Sequence, residues 1–156
     1  MSQIRRAQPQ DIPQVLHLLE QVNLIHANLR PDLVRVTTKY TDEQLAEIFQ
    51  NDNTPVFVLE QEGNILGYVF TELIDHSGDH MLKPIKELYI DDLCVDEQFR
   101  GQHVATQLYQ YVIGFARQIG CHNVTLNVWE GNDNAFAFYK AMGMKPQKTK
   151  LETVLD

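Results

Sequence analysis

Apolar and polar positions recur along the chain with two periods, one typical of helices and one typical of strands. A short strand is predicted at 4–6, after which Asp11 is placed to cap a helix. The apolar face of that helix is formed by Ile12, Val15, Leu16 and Leu19. The irregular segment 23–40 predicts a loop, and Thr41 with Gln44 forms a capping-box pattern before a second helix.

The rest of the chain continues this alternation without repeats or low-complexity linkers. Two β-rich runs, 55–61 and 64–74, flank Glu62 and Gly63, which is a strong hairpin signal. The later elements are predicted to be a strand at 87–95, a helix at 104–120 ended by Gly120, a strand at 123–129, a helix at 133–143 capped by Gly143, and a closing strand within 144–155. This order predicts an α/β or α+β fold in one domain spanning 1–156.

Composition narrows the classes of partner. Thirteen basic and 21 acidic side chains give a net charge of −8, which argues against a nucleic-acid partner and against an anionic membrane surface. The first residues contain no apolar core of a signal peptide, so we expect a cytoplasmic protein. Cys94 and Cys121 lack the spacing of a disulfide framework or a zinc site.

The segment "RGQHVA", 100–105, lies between a predicted strand and a predicted helix. The free N–H groups of Gly101 to Ala105, at the positive end of the helix dipole, are suited to an anion such as a pyrophosphate. His103 adds a side-chain donor at a position where a second glycine would be expected. From the loop alone, an ordinary strand-to-helix turn remains the alternative.

A second motif favours an anion site over an ordinary turn at this loop. The loop follows "LCV" at 93–95, and a downstream pattern is formed by Asn132, Ala135, Phe138, Tyr139, Gly143 and Met144. Together these motifs resemble the GNAT superfamily of acyl-CoA-dependent N-acetyltransferases, although His103 replaces the central glycine of the loop. The resemblance implies a central mixed, mostly antiparallel sheet of about six to seven strands with about four helices. Splayed strands in that sheet would form the CoA groove.

The resemblance also implies an acetyl-CoA site and its residues. These are Leu93, Cys94, Val95, Arg100, Gly101, Gln102, His103, Val104, Ala105, Thr106, Asn132 and Ala135. The backbone of Leu93 to Val95 would stabilise the oxyanion, and Asn132 is either a helix cap or a CoA contact. A homodimer, formed through the C-terminal strand or the sheet edge, is a further expectation from the family.

The strand "LYIDDLCV" is similar to that of the diamine and polyamine acetyltransferases. Because an alkyl ammonium has a pKa near that of lysine, about 10.4, a base must remove its proton before it attacks a thioester. Asp91 is the first candidate, and Asp92 replaces it if a β-bulge exchanges the two faces of the strand. By the same resemblance, Tyr139 is the acid that protonates the departing thiolate; on helical spacing alone it would be a core aromatic.

The sequence defines the acceptor of the acetyl group less closely than it defines the acetyl-CoA site. Five acids lie within 87–97 and would attract a cationic amine, although solubility is a sufficient alternative reason for them. Candidate substrate contacts are His26, Arg30, Asp32, Tyr40 and Glu87, while Arg30 and Arg35 are alternatively suited to a carboxylate. The run "DHSGDH" is interpreted as turn chemistry, so no metal is expected. A peptide-amine acetyltransferase and a non-catalytic acyl-CoA-binding domain are the alternative functions.

Overall fold

The computed structural model describes residues 1–155 and has an α+β architecture. Its strands are β1 (Ser2–Arg6), β2 (Val56–Gln61), β3 (Asn64–Asp75), β4 (Lys86–Val95) and β5 (Asn123–Leu126). Its α-helices are α1 (Ile12–Leu29), α2 (Asp42–Gln50), α3 (Val104–Gln118) and α4 (Asp133–Ala141). Short 3₁₀ turns occupy Pro9–Asp11 and Glu97–Phe99.

The sheet has the order β1-β2-β3-β4-β5. All neighbouring pairs are antiparallel except β4 and β5, which are parallel. The mixed, mostly antiparallel sheet with four helices is therefore confirmed. Among residues 1–155 the sheet has five strands instead of six to seven, because 144–155 forms no strand within the chain.

Local sequence signals account for most element boundaries. The side chain of Thr41 accepts the Gln44 N–H and that of Gln44 accepts the Thr41 N–H, so the predicted capping box forms. In the β2–β3 turn, Glu62 has φ 53° and Gly63 has φ 81°. Positive φ at both central residues is what a tight hairpin turn requires.

Two sequence predictions near α1 are wrong. Asp11 precedes α1 but makes no side-chain capping bond to it. Its carboxylate instead accepts the Gln8 N–H and pairs with Arg5 at 2.8 Å, because the buried acid needs a charged partner. The helix also continues through 23–29, which had been predicted as loop, so His26 lies on α1.

The sheet separates two apolar layers. The layer beneath α1 and α2 includes Leu18, Leu45, Tyr68, Phe70 and Cys94. The layer beneath α3 includes Val69, Leu88, Ile90, Leu108 and Val112. We call these two sides of the sheet the α1 face and the α3 face.

The parallel pairing of β4 with β5 is short and leaves an opening. It runs from Glu87 opposite Asn123 to Ile90 opposite Leu126, and within residues 1–155 the two strands do not pair beyond that point. The predicted strand at 123–129 therefore ends at Leu126. The splayed strands expected from the sequence are present, and after Ile90 the β4 edge that faces β5 has no strand partner among the described residues.

Candidate active site

A β-bulge in β4 brings two carboxylates to the same side of the sheet. Asp92 lies opposite Phe70 and Ile90 lies opposite Thr71, so Asp91 is the extra residue without a partner on β3. Simple alternation would have placed Asp91 and Asp92 on opposite faces. With the bulge, both carboxylates contact residues on the α1 face.

Asp91 is held by two donors from the segment between α1 and α2. The Lys39 ammonium lies 3.0 Å from Oδ1, and the Tyr40 hydroxyl donates to Oδ2 at 2.5 Å. The Tyr40 ring stacks on Phe70, with ring centroids 5.6 Å apart. Burial and then the bond to Asp91 raise the pKa of Tyr40, so this hydroxyl stays protonated as a donor.

Asp92 lies deeper, where the Tyr68 hydroxyl donates to its Oδ2 at 2.6 Å. Burial raises the pKa of Asp92 to about 6, although the hydrogen bond from Tyr68 and the charge of Lys39 act to lower that pKa. A carboxylate with such a pKa is mostly ionised at neutral pH yet is a better proton acceptor than an ordinary aspartate. This is the environment expected of a general base.

Tyr139 reaches the same region from α4. Its ring packs near Tyr109 and Phe138, with centroids 6.3 and 5.1 Å away. Burial and then the charge of Asp92 raise the pKa of Tyr139 well above its ordinary value. Tyr139 therefore keeps its proton at every physiological pH, as a proton donor must.

The backbone of β4 supplies donors to the opening. Asp96 donates its N–H to Leu66 on the β3 side. By alternation, the N–H groups of Leu93 and Val95 point away from β3, toward the side where β5 has diverged. The side chain of Cys94 is buried on the α1 face, and burial raises the pKa of its thiol to about 12, so it is a poor nucleophile.

The loop at 100–106 presents a run of unpaired N–H groups. Among the described residues, none of the N–H groups from Gly101 to Thr106 has a hydrogen-bond acceptor. His103, at the start of α3, has φ 63°, and Gly101 has φ 83°. His103 thus adopts the left-handed conformation that glycine favours, so its side chain does not prevent the loop from forming.

These features agree with three comparisons. The family model described as "Acetyltransferase (GNAT) family" matches residues 22–144. The chain belongs to the acetyltransferase (GNAT) family. This membership confirms the family predicted from the sequence, which is a family of acetyltransferases.

The relatives of this GNAT member differ in length and in their sequence identity to it. It is 30% identical over 116 residues to a probable N-acetyltransferase, camello, from Xenopus laevis, which covers 74% of this chain and 46% of the relative. It is 26% identical to glucosamine 6-phosphate N-acetyltransferase from Arabidopsis thaliana, covering 78% of this chain and 82% of that protein. The chain spans about half the length of the first of these relatives.

A solved structure supports the fold over nearly the whole GNAT chain. A mutant of the BH1408 protein from Bacillus halodurans superposes with a TM-score of 0.93 at 30% identity. The match covers 98% of this chain and 99% of the other. The arrangement of the five strands and four helices is therefore that of known proteins.

The remaining residues predicted for acetyl-CoA are close to these elements. The Asn132 Oδ1 accepts the Ala135 N–H at 3.4 Å, so the structure shows the capping role of Asn132. Arg100 borders a cavity of about 350 Å³ with Leu24, Ile25 and Glu97.

The predicted substrate residues divide into two groups. Tyr40 lies at the site of the two aspartates, where it donates to Asp91. Glu87 lies four residues before Asp91 on β4. There its carboxylate accepts the Thr125 hydroxyl and lies 2.7 Å from His76 Nε2. Arg30 is already paired with Asp32 at 2.7 Å.

The other predicted features lie at the edge of this site. The His26 ring lies 6.4 Å from that of Trp129, which follows β5. In the "DHSGDH" run, Asp75 and Asp79 accept backbone N–H groups of their own turns. No helix within residues 1–155 combines the length and apolar character needed to cross a bilayer.

Sequence reasoning did not identify three residues that shape the site. Lys39 and Tyr68 are the partners of Asp91 and Asp92, and Asn127 donates to the Tyr89 hydroxyl at 3.1 Å. From the sequence alone, Tyr68 is expected to be a core residue of β3 and Lys39 a charged residue of a loop. Only the bulge, which brings both aspartates to the α1 face, gives these residues their importance.

Proposed function

We propose that this GNAT member transfers an acetyl group from acetyl-CoA to a primary amine by direct attack in a ternary complex. The observation that carries the proposal is the partly buried Asp92 carboxylate, which accepts the Tyr68 hydroxyl at 2.6 Å on the strand beside the opening. Asp92 has a pKa of about 6, and its charge helps to raise the pKa of Tyr139. Sites that use one group as a base and another as an acid typically hold the pKa values of the two groups far apart.

The residues present fit acetyl-CoA. The unpaired N–H groups of 101–106 suit its pyrophosphate, and the outward N–H groups of Leu93 and Val95 suit its thioester oxygen. When bound, acetyl-CoA supplies an activated acetyl thioester. The protein supplies the donors, the base and the acid.

The ammonium nitrogen of the acceptor loses two protons when it becomes an amide nitrogen. Asp92 takes a proton from the substrate ammonium, directly or through water, and the freed amine nitrogen attacks the thioester carbon. The N–H groups of Leu93 and Val95 stabilise the oxyanion while the carbon–sulfur bond breaks. Tyr139 donates its proton to the leaving thiolate. The second proton of the nitrogen leaves as the tetrahedral intermediate collapses and returns through water to the Tyr139 oxygen, and Asp92 releases the first proton to solvent. Asp91, which stays bound to Lys39 and Tyr40, positions that segment beside the acceptor.

A cationic acceptor, such as a small di- or polyamine, agrees best with the charges on the α1 face. Glu72 lies opposite Tyr89 on the neighbouring strand, and the alternation of β4 places Tyr89 on the same side as Glu87 and Asp91. The charges of Asp91, Asp92 and Glu72 all raise the pKa of Tyr40, after the effects of burial and the Asp91 hydrogen bond. Such a field attracts ammonium groups and repels a phosphorylated sugar.

The test is thiol release from acetyl-CoA with a panel of three amines. We expect a linear alkyl diamine to give the highest kcat/KM, followed by a short peptide with a free N-terminus and then by glucosamine 6-phosphate. Preference for the peptide would support the alternative, a peptide-amine acetyltransferase. Binding of acetyl-CoA with no amine-dependent thiol release would contradict the proposal and favour an acyl-CoA-binding domain.

A further inference from the structure

The chain places one of its own primary amines inside the candidate active site. The Lys39 ammonium lies 3.0 Å from Asp91 Oδ1 and 5.7 Å from the centre of the Tyr40 ring. It is also near enough to Asp92 for its charge to lower the pKa of that carboxyl group. An alkyl ammonium therefore lies beside the residue proposed as the base.

The same ammonium lies at the opening between β4 and β5. Asp91 and Asp92 are on one side, where β4 is no longer paired with β5. His26 is on the other side, and its pKa is lowered by burial and then by the charge of Lys39. The His26 ring lies 6.4 Å from that of Trp129, which follows β5. Lys39 thus faces the opening in which the thioester is proposed to bind.

The backbone at Lys39 is anchored, whereas its side chain can move. The next residue, Tyr40, stacks on Phe70 and donates to Asp91, and its carbonyl accepts the Thr38 hydroxyl at 2.9 Å. The Lys39 side chain itself is 43% exposed and makes one hydrogen bond, to Asp91. Because an exposed ion pair contributes little free energy, the ammonium can leave Asp91 while its backbone stays beside the site.

We propose that Lys39 is a self-acetylation site, whose amine attacks acetyl-CoA bound to the same molecule when no other acceptor is present. This step uses the base and the acid of the proposed function and therefore rests on it. A nucleophile held beside the reacting group has a high effective concentration. No other lysine within residues 1–155 forms an ion pair with Asp91 or Asp92.

The bonds and protons change as they do for a separate acceptor. The Lys39 ammonium leaves Asp91 and gives one proton to Asp92, and the free nitrogen attacks the thioester carbon. The carbon–sulfur bond breaks, and Tyr139 protonates the thiolate. The second proton of the nitrogen returns through water to the Tyr139 oxygen, and Asp92 releases its proton to solvent. The products are CoA and a neutral Nε-acetyl group on Lys39.

Two consequences distinguish this reaction from uncatalysed acetylation of surface lysines. Because the attacking nitrogen and the thioester belong to one complex, the rate constant should not depend on protein concentration. A separate acceptor that occupies Asp92 withholds the base from Lys39, so an excess of a linear diamine should protect Lys39.

The first experiment incubates the full chain with acetyl-CoA alone, digests it and measures the acetylated fraction at each lysine by mass spectrometry. We expect Lys39 to be acetylated faster than Lys83, which is exposed on the β3–β4 loop and reports the uncatalysed reaction. Asp92→Asn should slow the reaction at Lys39 by about 10²-fold or more, as expected for loss of a general base. Lys83 should react at the same rate in both proteins.

The second experiment measures thiol release from acetyl-CoA in the absence of any amine. The wild type should release a burst of one thiol per chain as Lys39 is acetylated. Lys39→Arg keeps a cation beside Asp91 but lacks the nucleophilic amine, so it should show no burst.

Thiol release with a linear diamine, measured on the same wild-type protein, separates the possible failures. Diamine-dependent release with Lys39 unmodified would overturn self-acetylation alone. Absence of both reactions would overturn the proposed function as well. Acetylation of Lys39 at the same rate in Asp92→Asn, or a rate constant that rises with protein concentration, would also overturn self-acetylation within one molecule.

Discussion

At the scale of residues, Asp92 carries a charge that its surroundings disfavour. Its pKa of about 6 lies above the ordinary value for aspartate, so the folded state binds this proton more tightly than the unfolded state. A raised pKa gives stability that is complete below the unfolded pKa, near 4, and is lost as pH rises through about 6. Ionised Asp92 therefore costs stability at neutral pH.

Asp92→Asn removes that cost while keeping an oxygen for the Tyr68 hydroxyl. We predict that its unfolding free energy at pH 8 exceeds that of the wild type by about 2–3 kcal/mol, since one pKa unit corresponds to about 1.4 kcal/mol. The difference should disappear below pH 4. Urea unfolding at several pH values measures it. Asp91→Asn is the control and should lose stability at pH 8, because Lys39 and Tyr40 lose their ionised partner.

Tyr139 is proposed to act only when the thiolate leaves. Tyr139→Phe should lower kcat by about 10²- to 10⁴-fold, as expected for loss of general acid catalysis, without changing the Kd of acetyl-CoA. Tyr109→Phe, which changes the neighbouring ring, should keep kcat within a few-fold. Turnover of Tyr139→Phe at the wild-type rate would show that another group, or water, protonates the thiolate.

At the scale of elements, the start of α3 combines unpaired donors with the positive end of the helix dipole. Gln102→Glu places a carboxylate there. We predict opposite effects on two quantities, because the acid stabilises the free helix by about 0.3–1 kcal/mol but repels the pyrophosphate. Thermal unfolding should show a higher Tm without ligand, and calorimetry a weaker affinity for acetyl-CoA.

Gln110→Glu is the matched control within α3. Gln110 is exposed in the middle of the helix, away from the dipole ends, so neither Tm nor affinity should change appreciably. If Gln102→Glu leaves acetyl-CoA affinity unchanged, the loop at 100–106 does not bind the pyrophosphate.

Elements with local signals could be predicted from the sequence, and those that depend on distant contacts could not. The capping box at Thr41, the turn at Glu62 and Gly63, and the helix end at Gly143 follow from the residues themselves. The length of α1 and the role of Asp11 depend on Arg5 and on packing. Similarly, a bulge was expected in β4, but its effect on Asp91 required its register with β3.

The C-terminal segment, residues 145–155, shows a different limit of sequence reasoning. Its alternating pattern predicts a strand, yet the structure gives it no partner within the described chain. A strand pattern states which face is apolar, but it does not state which molecule supplies the neighbouring edge. The strand predicted for 144–155 is therefore not formed among the described residues.

At the scale of the whole molecule, the acidic α1 face should affect how cationic acceptors arrive. Raising the ionic strength shortens the Debye length from about 10 Å at 0.1 M to about 3 Å at 1 M. We predict that kcat/KM for a linear diamine falls several-fold over this range. A monoamine of equal length should lose less, because it carries one charge instead of two. Equal losses of kcat/KM for the diamine and the monoamine would show that the second ammonium is not attracted by the acidic residues of the α1 face.

The central claim is that Asp92 accepts the proton of an amine that is then acetylated. The most direct measurement is the pH dependence of kcat/KM for thiol release from acetyl-CoA with a linear diamine, for the wild type and Asp92→Asn. We predict a wild-type rate that rises with a midpoint at about pH 6 and a rate in Asp92→Asn that is lower and lacks this midpoint. The same midpoint in both proteins, or no amine-dependent thiol release, would contradict the account.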